Sequence, residues 1–484
     1  MTLLDTLPYF WHGLLISVSV FFGACALTIP VALSAGLLRF AAPAPLRIPA
    51  TVFVEIFRGT SALVQLFWFY YVLPTFGVDL PAWVVGVLVL GLHGGAYGAE
   101  IVRGALQSVP KGQFEAGRAL GLSRLQILAT VQLPQSIPAM LPPAGNLGIE
   151  LLKLTALMVA IDLHDLMFQA RLLSDHAPGH KFTIYLVVML LYFLVSMAFI
   201  LPLRRMECRE FRERWGTRLA DLARRCFSWI NPRWAAMALG CLVLAGLITA
   251  PLLWYRGWLH AQHLGQTLWD WSFAWKILPT ILEGLWVTCL ATAGGFALAL
   301  GLGLLWAGLQ RVRSLAPWVR WGVEFIRSTP LLTQLMLVFY GALPLLGLQT
   351  PALLVGIVCL GLHISAYTME VYRAGLDDIP AGQLDASRAL GLRPLQTFNL
   401  VLLPQALPRC LPALGNYLLS MFKETPLLYY ITVGEMLAAA RSISSTHFRS
   451  IEAFTLVGAI FLILALLGSW LVRRLEKSMP VRHG

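Results

Sequence analysis

The stretch 110–135 reads "PKGQFEAGRALGLSRLQILATVQLPQ", and the stretch 380–405 reads "PAGQLDASRALGLRPLQTFNLVLLPQ". Within 110–122 and 380–392, 9 of 13 positions are identical. Both copies are polar, in a chain that is 58% hydrophobic and only 12% charged. Soluble domains are nearer one quarter charged. With a mean hydropathy of +0.73, the chain reads as an all-α integral membrane protein that keeps two copies of one polar loop.

A spanning helix needs roughly 20 mostly apolar residues. Eleven runs fit, at about 11–38, 51–73, 82–102, 138–160, 182–203, 234–254, 277–309, 322–344, 352–372, 408–432 and 452–472. The first run is too long for a signal-peptide core and has no basic segment before it, so it is expected to remain a membrane span. Cys25, Cys208, Cys226, Cys241, Cys289, Cys359 and Cys410 form no CxxC pair and read as free thiols.

Lys and Arg set the orientation. The segments 39–50, 103–136, 204–233, 310–327, 373–409 and 473–484 hold 27 of the 36 basic residues, and the opposite side holds six. The chain is therefore expected to have its N-terminus outside and its C-terminus in the cytoplasm, with both polar loops cytoplasmic. This asymmetry also accounts for the net charge of +12 without a nucleic-acid partner.

The repeat is longer than the loop. "VEIFRGTSALVQLF" from Val54 matches "VEFIRSTPLLTQLM" from Val323, and "GLHGGAYGAEIVRGAL" from Gly91 matches "GLHISAYTMEVYRAGL" from Gly361. "LPPAGNLGIELLKLTAL" from Leu141 matches "LPALGNYLLSMFKETPL" from Leu411. Polar residues recur along with apolar ones, so this is duplication rather than shared hydrophobicity. The domains read as 1–205, a first five-helix repeat with its loop at 108–135; 206–276, an Arg-rich linker with the extra helix 234–254; and 277–484, a second repeat with its loop at 378–405. Five spans are odd, so the extra helix keeps the two repeats parallel.

Each loop predicts a short helix (113–120 in the first copy), a stop at Gly121 or Gly391, and a second short helix. Ser123 followed by Gln126 is a capping-box pattern. Pro394 sits at the equivalent first helical position, where proline is tolerated. Leu133-Pro134 and Leu403-Pro404 then lead into the next span.

These residues resemble the EAA motif of ABC importer permeases, E-A-A-x3-G-x9-I-x-L-P. The first copy supplies Glu115, Ala116, Gly121, Leu133 and Pro134, and the second supplies Asp385, Ala386, Gly391, Leu403 and Pro404. Val131 and Val401 replace the Ile, Gly117 and Ser387 replace the second Ala, and Asp385 replaces Glu. The resemblance implies a type I importer fold of two fused permease repeats, with these residues on coupling helices that dock on a cytoplasmic ABC ATPase dimer. It also implies an extracytoplasmic solute-binding protein, a bacterial inner-membrane location, and a small polar solute. ATP and Mg would be bound by the partner, leaving no cofactor in this chain. "FRGTSALVQLF" and "KLTAL", with "IRSTPLLTQLM" and "KETPL", resemble the polar-amino-acid branch, and most of all an ectoine/hydroxyectoine permease pair.

Ionisable groups within spans are unfavourable and so mark functional candidates. Glu55 with Arg58, and Glu324 with Arg327, form i,i+3 pairs that read as gates or structural ties. Glu100 with Arg103, and Glu370 with Arg373, read as structural. Glu150, Lys153, Lys423 and Glu424 are candidates to line a translocation path or to pair at the interface of the halves, and Gln65 and Gln334 are uncharged path candidates. Asp162, His164, Asp165 and Glu435 are expected near the outer ends, where a delivering protein would dock.

No GxxxxGK[ST] or HExxH is present, so the chain is not expected to hydrolyse ATP or bind zinc. The alternative is an ion-coupled secondary transporter for amino acids. Two cytoplasmic helix-turn-helix loops and the lone lysines weigh against it.

Overall fold

The computed structural model describes residues 3–207 and 268–478, together with Tyr255 and Leu259. The extra helix expected at 234–254 and most of its linker lie outside the described residues.

The first half runs α1 (Leu3–Ala41), α2 (Ala44–Gly59), α3 (Ala62–Phe67), α4 (Ala82–Gln107), α5 (Lys111–Ala119), α6 (Arg124–Ile127), α7 (Leu133–Leu154), α8 (Leu166–His176) and α9 (Lys181–Glu207). The second runs α10 (Trp271–Leu309), α11 (Ala316–Ser328), α12 (Leu331–Met336), α13 (Ala352–Asp377), α14 (Ala381–Ala389), α15 (Pro394–Thr397), α16 (Leu403–Glu424), α17 (Met436–His447) and α18 (Ser450–Ser478). No strand occurs among the described residues. α1 packs along α4, and α10 packs along α13.

The halves repeat in detail. Ser17 Oγ accepts from Leu166 N at 3.1 Å, as Thr288 Oγ1 accepts from Met436 N at 3.5 Å. Gly13 and Gly284 let α1 and α10 lie against the backbone at Asp165–Leu166 and Glu435–Met436. A Cβ on either glycine would come within 2.8 Å of backbone.

Among the described residues, seven helices are long and apolar enough to cross a membrane, or up to nine if each bent pair is one span. The runs expected at 51–73 and 322–344 are these bent pairs: Ala44–Gly59 with Ala62–Phe76 turns by 106°, and Ala316–Ser328 with Leu331–Leu345 turns by 103°. Thr60 and Thr329 at the breaks are extended, so helical hydrogen bonding stops there. Pro330 enforces this in the second half, because a residue before proline avoids the helical region. The run at 408–432 is helical through α16 and a 3-10 turn, Thr425–Ile431, but is not apolar enough to join that set.

Each half's last span crosses to the other half's bend. Ser196 Oγ on α9 donates to the Ser328 carbonyl at 2.9 Å, and Trp68 Nε1 donates to Thr455 Oγ1 on α18 at 3.0 Å.

Candidate functional site

The short helices form as the sequence predicts, within two residues. α5 and α14 each end at a glycine in the left-handed region, Gly121 at φ 77° and Gly391 at φ 68°. A side chain at either position would strain the backbone. Ser123 caps α6 reciprocally with Gln126, at 2.8 and 3.3 Å. In the second half Arg393 N donates to Gln396 Oε1 at 2.9 Å, and Pro394 replaces the missing hydroxyl cap with a preset φ.

The motif departures compensate one another. A Cβ on Gly117 would meet Ile127 Cγ1 at 2.8 Å, so the bulky Ile127 requires glycine. In the second half Ser387 is buried and the facing residue is the smaller Thr397. Glu115, Ala116, Asp385 and Ala386 are exposed, and Asp385 pairs with Arg388 at 3.4 Å. Leu133 and Pro134 are buried at the start of α7; Leu403 is half-buried and Pro404 exposed. Leu120 and Leu390 are 80% and 78% exposed beside the glycine turns. A leucine in an apolar chain carries no sequence signal until its exposure is known.

Gln65 and Gln334 are buried, and their amides are bonded within their own halves. Gln65 Nε2 donates to Thr60 Oγ1 at 2.7 Å and to the Phe57 carbonyl at 2.9 Å. Gln334 Nε2 donates to Thr329 Oγ1 at 2.8 Å and to the Ile326 carbonyl at 3.0 Å. Their Oε1 atoms meet His93 and His363 Nδ1, each at 3.2 Å. Both amides are thereby committed to bracing the bends. His93 and His363 were legible as the shared "GLH", which the sequence reading quoted without assigning a role.

On α2 the expected i,i+3 pair gives way to contacts between helices, and on α11 Arg327 also reaches another helix. Arg58 pairs with Glu100 on α4 at 3.0 Å, and Glu55 lies 3.8 Å from Arg39 on α1. Arg327 turns to Glu370 on α13 at 3.8 Å. The pairs Glu100–Arg103 and Glu370–Arg373 do form along their helices.

The lysines cross between the halves. Lys153 Nζ donates to Tyr367 Oη at 2.7 Å. Lys423 Nζ donates to Tyr97 Oη at 2.8 Å and to the Arg58 carbonyl at 2.9 Å. At this seam the lysines meet the hydroxyls of Tyr97 and Tyr367 across the two halves.

A cavity of about 530 Å³ opens between α7 of the first half and the second half's α11, α12, α13 and α16. Glu150, Lys153, Glu324, Arg327, Tyr417 and Glu424 line it. Its counterpart, beside Lys423 and Tyr97, is about 70 Å³. Glu424 occupies the position of Leu154, and Ser420 that of Glu150, so the carboxylates do not obey the repeat. Glu424 Oε2 and Arg327 Nε are buried with no hydrogen-bond partner.

Asp165 and Glu435 are fully buried and do not form an outer docking face. Asp165 caps α8 through Met167 N and Phe168 N, and Glu435 caps α17 through Leu437 N and Ala438 N. Burial pushes both carboxyls up to about 8.

Two matched halves, two exposed helix-glycine-helix loops and a charged cavity at the seam describe a transport component. The model for binding-protein-dependent transport system inner membrane components matches residues 28–206 and again 299–481. The chain belongs to this family. It is a multi-pass membrane permease of the ABC transporter class rather than an enzyme, and it carries the family unit twice. A probable amino-acid ABC transporter permease of Sinorhizobium fredii, y4tG, is 44% identical over 215 residues, 44% of this chain and 92% of the relative. A second, y4tF from the same organism, is 46% identical over 170 residues, 34% of this chain and 71% of the relative. The glutamine transport system permease GlnP of Escherichia coli is 33% identical over 223 residues, 44% of this chain and 98% of the relative. Among solved structures, an amino acid ABC transporter with histidines is 30% identical, covers 44% of this chain and 99% of that chain, and has a TM-score of 0.41.

Proposed function

We propose that this permease carries a polar amino acid or a related zwitterion from an extracytoplasmic binding protein into the cytoplasm, driven by a separate ATPase dimer. The cavity at the seam carries this reading. It holds acidic and basic side chains together, as the ammonium and carboxylate ends of a zwitterion require, and the buried Glu424 Oε2 has no partner of its own. In this reading Glu150 and Glu424 face the ammonium and Arg327 the carboxylate, while Lys153 is held by Tyr367. The names of the relatives support an amino acid as solute.

The N-terminus lies outside and the C-terminus in the cytoplasm, following the basic residues. Exposed α5 and α14 then face the cytoplasm, and each docks on one ATPase subunit. Glu115, Ala116, Asp385 and Ala386 lie on the contact helices, with Gly121 and Gly391 setting their angle. ATP and Mg belong to that partner. Residues 1–205 and 277–484 act as the two permease repeats, and 206–276 joins them in parallel.

The test is uptake into vesicles holding the chain with its co-encoded ATPase and binding protein. Labelled glutamine, octopine and ectoine serve as probes. Accumulation should require ATP and the binding protein and should persist when ion gradients are dissipated. Uptake driven by an ion gradient without the ATPase would overturn the proposal.

A further inference from the structure

The first half seals the basic end of its helix bundle with Arg39, which bonds Glu100 and lies 3.8 Å from Glu55. The register set by Gly13 with Gly284, and by Ser17 with Thr288, places Gln310 where Arg39 stands. Glutamine is shorter and uncharged. In the second half this place is a cavity of about 460 Å³, between the end of α10, α11 and α13.

Its walls are built for a zwitterion. Arg311, Arg320 and Arg373 supply donors, while Glu324, Glu370 and Asp377 supply acceptors. Arg311 bonds Asp377 at 3.1 Å and Arg373 bonds Glu370, leaving both signs exposed in one pocket. The first half has Phe40, Thr51 and Gln107 at the positions of Arg311, Arg320 and Asp377, so these charges are particular to the second half.

The place of the pocket along its helices points to its occupant. It lies at the ends of two spans, Trp271–Leu309 and Ala352–Asp377, beside a helix turned 103° from its partner. That helix exposes Trp318 (78%) and Trp321 (65%), residues that settle at the level of lipid headgroups. The matching face of α2 exposes Ile48, Val52 and Ile56, which suit acyl chains instead.

We propose that this cavity holds the headgroup of an aminophospholipid from the cytoplasmic leaflet. Its phosphate meets Arg311 and Arg320, its primary ammonium meets Asp377 and Glu370, and its acyl chains run beside Trp318 and Trp321. A primary ammonium fits because it has three donors for the two carboxylates. The leaflet assignment rests on the sidedness proposed above; the headgroup chemistry does not.

The purified full chain is equilibrated with equal amounts of phosphatidylethanolamine and phosphatidylglycerol of the same acyl composition, and bound lipid is counted by native mass spectrometry. The wild type should retain the ethanolamine lipid about five-fold over the glycerol lipid, the scale of one partly exposed charge pair. Gln310→Arg copies the first half, where Arg39 bonds Glu100, and sets a guanidinium against Glu370 in competition with the ammonium, so it should abolish the preference. Arg320→Gln, at an exposed site, should lower retention of both lipids without affecting monodispersity, and so tests the site even if Gln310→Arg folds poorly. Equal retention by the wild type, or an unchanged preference in Gln310→Arg, overturns the proposal. Displacement by an equimolar amount of soluble phosphoethanolamine overturns the assignment to a membrane lipid.

Discussion

Lys153 donates to the hydroxyl of Tyr367, 2.7 Å away in the other half of the molecule. Lys423 makes the reciprocal bond to Tyr97, but it also reaches the Arg58 carbonyl. The two crossings are therefore unequal in a way that substitution can read. Tyr367→Phe removes a buried ammonium's hydrogen-bond partner and should cost about 1–3 kcal/mol. Tyr97→Phe leaves Lys423 its carbonyl and should cost less. Thermal unfolding of the purified variants ranks them, and equal losses would count against the asymmetry.

The glutamine braces make a second prediction. Gln65→Leu or Gln334→Leu strands a histidine nitrogen in the interior, while the threonine hydroxyl keeps its bond to the Ile56 or Phe325 carbonyl. Each should destabilise the fold by about 1–3 kcal/mol, the cost of unsatisfied buried groups. A lowered unfolding midpoint is the expected signature. An unchanged midpoint with a raised KM for uptake would place these residues on the solute path.

The joint in each loop should behave as a matched pair. Gly117→Ser places a side chain against Ile127, where a Cβ would sit 2.8 Å away. Alone it should reduce substrate-stimulated ATPase activity in the reconstituted complex. Adding Ile127→Thr reproduces the Ser387–Thr397 pair and should restore most of the loss. A double variant no better than the single would refute the volume argument, since contacting residues are where additivity fails.

Asp165 and Glu435 give the chain a pH response. Burial pushes their carboxyls up to about 8, against ordinary values of 3.8 and 4.5. Between these limits the folded state binds more protons than the unfolded chain, so stability falls as pH rises. The contribution is full below about pH 4 and is lost as pH passes about 8. The unfolding midpoint should therefore drop between about pH 5 and 8, and Asp165→Asn with Glu435→Gln should flatten that slope. A midpoint that rises over this range would contradict the burial of these caps.

Much of this architecture was legible because it is local or duplicated. The glycine stop at Gly121, the Ser123–Gln126 box and the tolerance for Pro394 depend on neighbours in the sequence. The repeat could be read from shared polar residues. The bends at Thr60 and Thr329 were not legible, because hydropathy counts apolar residues without sensing chain direction. The partners of Lys153 and Lys423 lie hundreds of positions away, so only the three-dimensional fold reveals them. The bracing bonds of Gln65 and Gln334 were not legible, because a polar group within an apolar run has the same sequence signature whether it meets a solute or its own backbone.

Glu424 stands where the first half has Leu154, so the cavity has an acid on one wall and a hydrocarbon at the equivalent place on the other. An assembly of two identical chains cannot draw that distinction, because every change made on one wall is copied to its twin. Two separate, different chains can draw it, but they also allow like-with-like pairings that lack one wall or duplicate it. Carrying both walls on one polypeptide delivers them in a fixed ratio of one to one. The lopsided chamber is thus inherited with the chain itself, and no sorting of subunits is needed to obtain it.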